Sequence, residues 1–399
     1  MPAMLARLVF PILHFAFLLT GIATTMMGVL LPTVVVRWSI TDAQAGSLFA
    51  AQFAAQFAGS LAYGEISRRL GNHRTVILGL FIVAAGVLGV ALTFWPAPLA
   101  FVAMYGVGLG LALPATNLLV AELSPANRAS ALNLLNFSWT LGAVTAPPLF
   151  VYLVQRQHLT LSYLLVSFAA IVAGSAVLVS LCPTASRAAE ETNQATKAAG
   201  SSIEIWFLTG LMLFLHVGVE NGIPGWTPIF GLRHRMLTST SIAYALACYW
   251  GALLLGRLAA SFLWRGAAPR LMISTSLIAA ALGAALIAAA LGPAVLYAGL
   301  LLAGGGLAAV FPTVVAVFSP LATGHAKAAA GIMFASARLG GAAIPPLIAI
   351  FSARGYGLRL GLWLMAAVAA VMLVIEQRIT LQHDRLEEHY RNYRSAEAG

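Results

Sequence analysis

The chain alternates long apolar runs with short groups of proline, glycine, asparagine or charged residues. A helix of about 20 residues crosses the hydrocarbon core of a bilayer, because each residue adds about 1.5 Å. The pattern therefore predicts an all-α membrane protein with twelve transmembrane helices. The predicted spans are approximately 8–36, 44–66, 75–95, 97–122, 129–153, 161–182, 204–231, 238–264, 270–291, 293–320, 326–352 and 357–377.

Composition narrows the class of protein. Of 399 residues, 60% are hydrophobic and only 9% are charged, and the mean hydropathy is +0.91. So few charges cannot cover the surface of a water-soluble globule of 41.7 kDa. A soluble enzyme, a nucleic-acid-binding protein and a disordered scaffold are therefore excluded.

The net charge of +10 follows from where the basic residues lie. With a cytoplasmic N-terminus, 14 of the 22 lysines and arginines fall on the cytoplasmic side of the predicted helices and 6 on the opposite side. This positive-inside bias predicts that both termini are cytoplasmic, in a plasma (bacterial inner) membrane. The basic charge is thus a topology signal, and no nucleic-acid partner is expected.

An internal repeat divides the chain. Residues 141–149 (LGAVTAPPL) match residues 339–347 (LGGAAIPPL) at an offset of 198 residues, and Pro114 matches Pro312 at the same offset. A repeat near half the length predicts two parallel six-helix halves, 1–182 and 204–377, that enclose one site near the midplane and alternate its access. Residues 183–203 are the predicted cytoplasmic linker, and 378–399 a cytoplasmic tail.

The loop between the second and third spans, residues 64–74 (GEISRRLGNHR), resembles the signature loop of the major facilitator superfamily. Arg68 stands where that family has aspartate, which leaves Glu65 and Glu122 as the nearby acids. The resemblance implies the major facilitator fold and a gate on the cytoplasmic side. The matching loop positions and two charged residues beside the next cytoplasmic loop form the predicted gate: Gly64, Arg69, Gly71, Arg74, Glu122 and Arg128.

Two further segments, 218–226 (GVENGIPGW) and 46–53 (GSLFAAQF), resemble the fucose permease group and its sodium-glucose-transporter-like and animal glucose-transporter relatives. This likeness implies a sugar substrate with proton or sodium coupling. The acidic residues which that group carries in its first and fourth helices have no counterpart here, so coupling by the same route is not expected.

Glu220 is the one acidic residue that lies well inside a predicted span. A charged side chain at such depth costs about 2.5–3.5 kcal/mol and needs a partner or a wet cavity. His216 is one turn earlier on the same helical face, and the pair could hold a proton or bind sugar hydroxyls. Gly222 and Pro224 follow immediately, so the helix is predicted to bend or unwind there. The alternative is a structural pairing of Glu220 with a neighbouring helix.

Two arginines also lie inside predicted spans. Arg338 falls near the midplane of the eleventh span and requires a counter-charge, which predicts coupling to Glu220, directly or through water or substrate. The alternatives for Arg338 are backbone carbonyls or an anionic substrate. Arg257 is two turns from the cytoplasmic end of the eighth span, and we expect it to extend toward the interface in a structural role.

Amides and indoles inside the spans suit a sugar, because its hydroxyls need paired donors and acceptors while its C–H faces stack on rings. Hydrogen bonding between helices is the alternative for the amides, and an interfacial anchor is the alternative for Trp226. The predicted substrate-binding set, with Glu220 and Arg338, is Asn221, Trp226, Asn136, Asn133, Trp139, Asn117, Gln52 and Gln56.

Together these features predict a secondary transporter of a small polar solute, a monosaccharide in the first place, with proton coupling through Glu220 and His216. An organic-anion transporter that uses Arg338 and an exporter of amphiphilic compounds are the alternatives. No catalytic constellation, metal-ligand cluster or nucleotide-binding fingerprint is present in the sequence, so neither an enzyme nor a cofactor is expected. The expected partners are the solute, protons or sodium, and membrane lipid, and the chain is expected to be a monomer.

Overall fold

The computed structural model describes residues 2–124, 128–155, 160–182, 203–238, 240–263, 269–318 and 326–397. These residues form thirteen helices and no strand. The helices are α1 (Pro2–Trp38), α2 (Asp42–Leu70), α3 (Asn72–Leu92), α4 (Pro98–Leu123), α5 (Arg128–Gln155), α6 (Leu161–Ser180), α7 (Ile203–Arg233), α8 (Ser241–Leu263), α9 (Pro269–Ala289), α10 (Pro293–Ala308), α11 (Val310–Phe318), α12 (Ala326–Ala353) and α13 (Gly357–Glu397).

The helices correspond to the twelve predicted spans, because α10 and α11 form one span that is interrupted at Ala309. Within the described residues, eleven spans are long and apolar enough to cross a membrane. The twelfth, α2, is 29 residues long but carries more polar residues. Helix α13 continues without interruption from the last span into the tail, as far as Glu397.

The predicted unwinding of the seventh span is wrong. Helix α7 is continuous from Ile203 to Arg233 although it contains Pro224 and Pro228. Helix α1 carries Pro32 at the position that corresponds to Pro228, and it is continuous as well. Prolines are tolerated in a membrane helix when neighbouring helices supply the packing and hydrogen bonding around them.

The first half (α1–α6) and the second half (α7–α13) pack their helices in the same way. In the first half α1 packs on α5, α2 on α4, and α3 on α4 and α6. In the second half α7 packs on α12, α8 on α10, and α9 on α10 and α13. The halves meet along the pairs α1 and α7, α2 and α12, and α5 and α8.

Glycines at equivalent positions allow two of these close approaches. Gly106 of α4 lies against the carbonyl of Gln52 in α2, and Gly304 of α10 lies against the carbonyl of Tyr249 in α8. A Cβ atom at either glycine would overlap that carbonyl. The two glycines are 198 residues apart and the two carbonyls are 197 residues apart, so the repeat seen in the sequence is also a repeat of backbone packing.

We call the side of the bundle where α1 begins the termini side, and the side where α1 ends the far side. On the far side, Thr41 and Gln44 form a capping box that fixes the start of α2. This places Asp42 so that its two carboxylate oxygens accept hydrogen bonds of 2.6 Å from Arg233, the last residue of α7. Ser352 of α12 also donates to Asp42. Three helix ends from both halves are thereby tied together.

Backbone packing also closes the far half of the interface. A Cβ atom built on Gly28 of α1 would lie 3.3 Å from Gly225 of α7, and Gly46 of α2 faces Ala349 of α12. Among the described residues, the hydrogen bonds between the halves lie on the far side and at mid-depth. The described contacts therefore close the far half of the interface in this conformation.

The close approach of α10 to α8 can be tested with two adjacent glycines. Gly304→Ala should lower the free energy of unfolding by about 1–3 kcal/mol, because the new methyl group overlaps the α8 backbone. Gly305→Ala is the matched control, since no atom lies within 4 Å of its Cβ position, and alanine should be neutral or stabilising by up to about 1 kcal/mol. Thermal unfolding in detergent measures both, and equal tolerance of the two substitutions would contradict the packing.

The far-side ion pair can be tested with Arg233→Gln. Arg233 is 45% exposed, so we expect a loss of only about 1 kcal/mol and a roughly fivefold rise in the population whose far side is open. Spin labels on cysteines at Ala97 and Leu291, exposed loop residues of opposite halves, report this opening as a longer distance when Cys182 and Cys248 are replaced by serine. Arg235→Gln, on the neighbouring exposed turn, is the control. An unchanged distance distribution for Arg233→Gln would rule out a role in closure.

Candidate functional site

Glu220 lies at the centre of a cluster of ionisable groups on α7. Its side chain is largely buried, and His216, one turn earlier, is completely buried. Nε2 of His216 is 3.2 Å from Oε2 of Glu220, but the ring is not aligned for a good hydrogen bond, so the contact is an ion-pair approach. The i, i+4 spacing that predicted the pair places both side chains on one face of α7.

Arg257 of α8 is the second partner of Glu220. Its Nη2 lies 3.4 Å from Oε1 of Glu220, and its Nη1 lies 3.4 Å from Oγ1 of Thr140 on α5. The expectation that Arg257 only extends toward the membrane interface is therefore corrected. Arg257 joins the carboxylate of the second half to a hydroxyl of the first half. Two arginines but only one acidic residue were predicted inside the spans, and this imbalance of charge was the sequence signal for a contact between Arg257 and Glu220.

Arg338 of α12 occupies the repeat position of Thr140. It makes no hydrogen bond or ion pair with the described residues, but it lies close enough to Glu220 for the two charges to act on one another. The predicted coupling is thus electrostatic in this conformation, and the direct contact belongs to Arg257. Arg338 is partly exposed.

Matching hydrogen bonds hold the two helix pairs beside the cluster. The hydroxyl of Tyr249 on α8 donates to the backbone carbonyl of Glu220 on α7, over 2.9 Å. At the equivalent place in the first half, Nε2 of Gln52 on α2 donates to the carbonyl of Thr24 on α1, also over 2.9 Å. Each bond satisfies a carbonyl in the membrane interior and fixes the crossing of the two helices.

Gln52 was predicted to bind the solute, and the structure gives it this structural bond instead. Its amide is fully buried, and its Oε1 accepts a 2.9 Å hydrogen bond from Tyr105 of α4. Gln56, one turn further along α2, is also fully buried, yet neither of its amide atoms has a partner among the described residues. The two glutamines share a face of α2 but have different surroundings.

Trp226 is another predicted site residue with a structural contact. Its indole N–H donates to the carbonyl of Pro345 in α12 over 2.9 Å, and its ring is completely buried beside Phe49. Trp139 packs edge-on against Trp250 of α8 with 6.2 Å between ring centroids, at the contact between the halves. Trp139 therefore contacts the second half directly, whereas Trp226 is completely enclosed.

The predicted asparagines share one kind of bond. The amide groups of Asn117, Asn136 and Asn221 each donate to a carbonyl one turn earlier in their own helix, over 2.8–2.9 Å. Asn136 is exposed and shares a helical face with Thr140, one turn nearer the termini side. The side chain of Asn133 lies outside those described.

A small cavity lies between the halves on the far side of the cluster. Its volume of about 20 Å³ has room for about one water molecule, so no solute fits there in this conformation. The first half contributes Thr24, Thr25, Gly28, Val29, Phe49 and Phe53, and the second half contributes Asn221, Pro224, Gly225, Leu246 and Trp250.

The predicted gate loop is a charged turn on the termini side. Glu65 forms ion pairs with Arg68 and Arg69 on its own helix. Gly71 has a φ of +80°, which lets α2 end and α3 begin at one residue. The amide of Asn72 donates to Glu122 of α4 over 2.6 Å. Of the other predicted gate residues, Gly64 has no neighbour within 4 Å of its Cβ position and Arg74 is exposed, while the Arg128 side chain lies outside those described.

Comparison with protein families identifies one match. The model described as Major Facilitator Superfamily matches residues 13–268, close to two thirds of the chain. A putative glucose/galactose transporter from Helicobacter pylori is 26% identical over 363 residues, which are 83% of this chain and 86% of that protein. Bypass of stop codon protein 6 from Saccharomyces cerevisiae is 23% identical over 62% of this chain, but the match spans only 55% of that relative's length.

Solved structures give the same fold. The inward-facing, unoccupied structure of a bacterial homologue of the human lysosomal transporter Spinster matches with a TM-score of 0.78 and 14% identity, over 96% of this chain and 98% of that chain. The outward conformation of FucP matches with a TM-score of 0.62 and 20% identity, over 93% of this chain and 98% of that chain. At these identities the likeness concerns the fold alone.

We predict opposite effects on the free energy of unfolding when the two buried glutamines of α2 are replaced. Gln52→Leu should destabilise the protein by about 1–3 kcal/mol, because it leaves the Thr24 carbonyl and the Tyr105 hydroxyl unpaired. Gln56→Leu should be neutral or stabilising by about 1 kcal/mol, since it removes a buried amide that has no partner. Thermal unfolding in detergent compares the two. A Gln56→Leu protein that is less stable would show that this amide does have a partner, such as a bound water.

Proposed function

Because the chain belongs to the Major Facilitator Superfamily, we propose that it is a secondary transporter that carries a small polar solute of monosaccharide size by alternating access. The observation that carries this proposal is the cluster of Glu220, His216 and Arg257 at mid-depth, where the two halves meet. Ionised groups at this depth need a partner or a wet cavity, and a solute with many hydroxyls can supply such partners.

A sugar is the substrate class that fits the surroundings of the cluster. Thr140 and Asn136 share one face of α5, and the indole of Trp139 beside them packs edge-on against the buried Trp250 of α8. The name of the Helicobacter pylori relative, a putative glucose/galactose transporter, points to the same class. Asn221, which lines the small cavity, would come into reach if the far side opened.

The basic residues orient the transporter in the membrane. Under the positive-inside rule the termini side is cytoplasmic, so the far side, closed by Asp42 and Arg233, faces outward. The conformation described above is then the inward-facing one. Residues 1–182 and 204–377 would move as two bodies joined by the linker 183–203.

Glu220 is the proposed proton-coupling group, with His216 as its neighbour. In a low-dielectric site a carboxylate must be paired with a cation or take up a proton. Arg257 is that cation here, and it also bonds to Thr140 across the boundary between the halves. Movement of α8 relative to α5 would break this bridge, and a proton could then replace Arg257 as the partner of Glu220.

Reconstituted protein tests transport and coupling together. Wild type should exchange labelled solute across proteoliposomes when D-galactose and D-galacturonate are offered, and should concentrate it under an inward proton gradient. Glu220→Gln should keep exchange but lose concentrative uptake by at least about tenfold, because the amide cannot release a proton. Glu397→Gln, at the end of α13, is the control.

Two outcomes would count against the proposal. A Glu220→Gln protein that still concentrates solute under the proton gradient would exclude Glu220 as the coupling group. Absence of exchange for all hexoses, pentoses and hexuronates would overturn the substrate class.

A further inference from the structure

We propose, building on the transport function above, that the solute is an anion, a hydroxylated monocarboxylate such as a hexuronate, whose carboxylate binds between Arg257 and Arg338. The starting point is the charge balance of the cluster. Glu220 is the one carboxylate that acts on these two guanidinium groups among the described residues. Arg257, Arg338 and ionised Glu220 together carry two positive charges and one negative charge, which leaves one positive charge in excess.

An uncompensated positive charge in the membrane interior is costly. Arg338 receives no hydrogen-bond acceptor from the described residues, and Nε of Arg257 is buried without a partner. The two oxygens of Glu220 face His216 and Arg257 in this conformation, and neither bonds to Arg338. The missing group is therefore a second acceptor that carries one negative charge.

A carboxylate matches these donors in shape as well as in charge. A guanidinium presents parallel N–H groups that bind the two oxygens of a carboxylate. Neither arginine is fully buried, since the side chain of Arg257 is 28% exposed and Arg338 is partly exposed. A neutral sugar could accept hydrogen bonds there, but it would leave the excess charge in place.

The remaining groups at the interface explain why the anion should also carry hydroxyls. Thr140 accepts from Arg257, and Asn136 lies exposed one turn nearer the termini side. These neutral polar groups suit hydroxyls and not a second charge. The acid is therefore expected to have one carboxylate at one end and a polyhydroxylated body.

Counterflow in proteoliposomes with a matched pair of solutes tests the inference. D-galacturonate and D-galactose have the same ring and differ only in carrying a carboxylate or a hydroxymethyl group at C6. Wild type should exchange galacturonate at least about tenfold faster than galactose. Arg338→Gln should reduce galacturonate exchange by at least about tenfold, Arg338→Lys should keep part of it, and Arg354→Gln on the exposed far-side turn should have no effect.

Thermal stabilisation of the purified protein by galacturonate gives a readout that does not depend on transport. It should be seen for wild type and lost in Arg338→Gln. If Arg338→Gln does not fold, the comparison of the two solutes with wild type still decides. Galactose exchange as fast as galacturonate exchange would overturn the inference and leave the proposed function standing. If neither of these solutes nor any other hexose, pentose or hexuronate is exchanged, both the inference and the proposed function are overturned.

Discussion

The interaction on which this structure depends is the pairing of Glu220 with Arg257. An ionised carboxylate inside a helical bundle in a membrane must be matched by a cation, by donors or by a proton. Arg257 supplies the cation from the next helix, and the same guanidinium reaches Thr140 in the other half. The electrostatic partner of the carboxylate is therefore tied to the boundary that must shift if access alternates. Movement of the halves would therefore change the electrostatic partner of Glu220.

The duplicated fold supplies the framework, and the two copies then differ in chemistry. Gln52 bonds to the backbone of Thr24 in the first half, and Tyr249 bonds to the backbone of Glu220 at the matching place in the second half. The helix crossings are thus held alike, while a threonine in one copy corresponds to a glutamate in the other. Thr140 likewise corresponds to Arg338. All the charged groups of the cluster are carried by the second half, so the first half presents a neutral polar surface to them.

The parts of this arrangement that follow local rules could be predicted from the sequence. Helix spans follow from the length of the apolar runs, and the His216–Glu220 pair follows from the spacing of four residues on one helix. The continuity of α7 was missed, because helix propensity in water overstates the effect of Gly222 and Pro224 where no water competes for the backbone.

Contacts between distant segments could not be predicted in this way. Arg257 gains its role from Thr140, which is 117 residues away, and Gln52 differs from Gln56 because only Gln52 meets Tyr105. A single sequence shows which residues share a helical face but not which helix lies opposite. The two far-side partners Asp42 and Arg233, 191 residues apart, belong to the same class of contact.

The two contacts between the halves, Asp42–Arg233 and Glu220–Arg257, also differ in what can replace them. Water can solvate Asp42 and Arg233 as they separate, because Arg233 is already 45% exposed, so this pair biases the closed far side only weakly. Arg257 is less exposed, at 28%, and lies at mid-depth, so under the proposed function a proton or a solute compensates the loss of its contact with Glu220. The central cluster can therefore make the conformational change depend on the binding of solute or proton. The far-side pair sets only how stable the closed far side is.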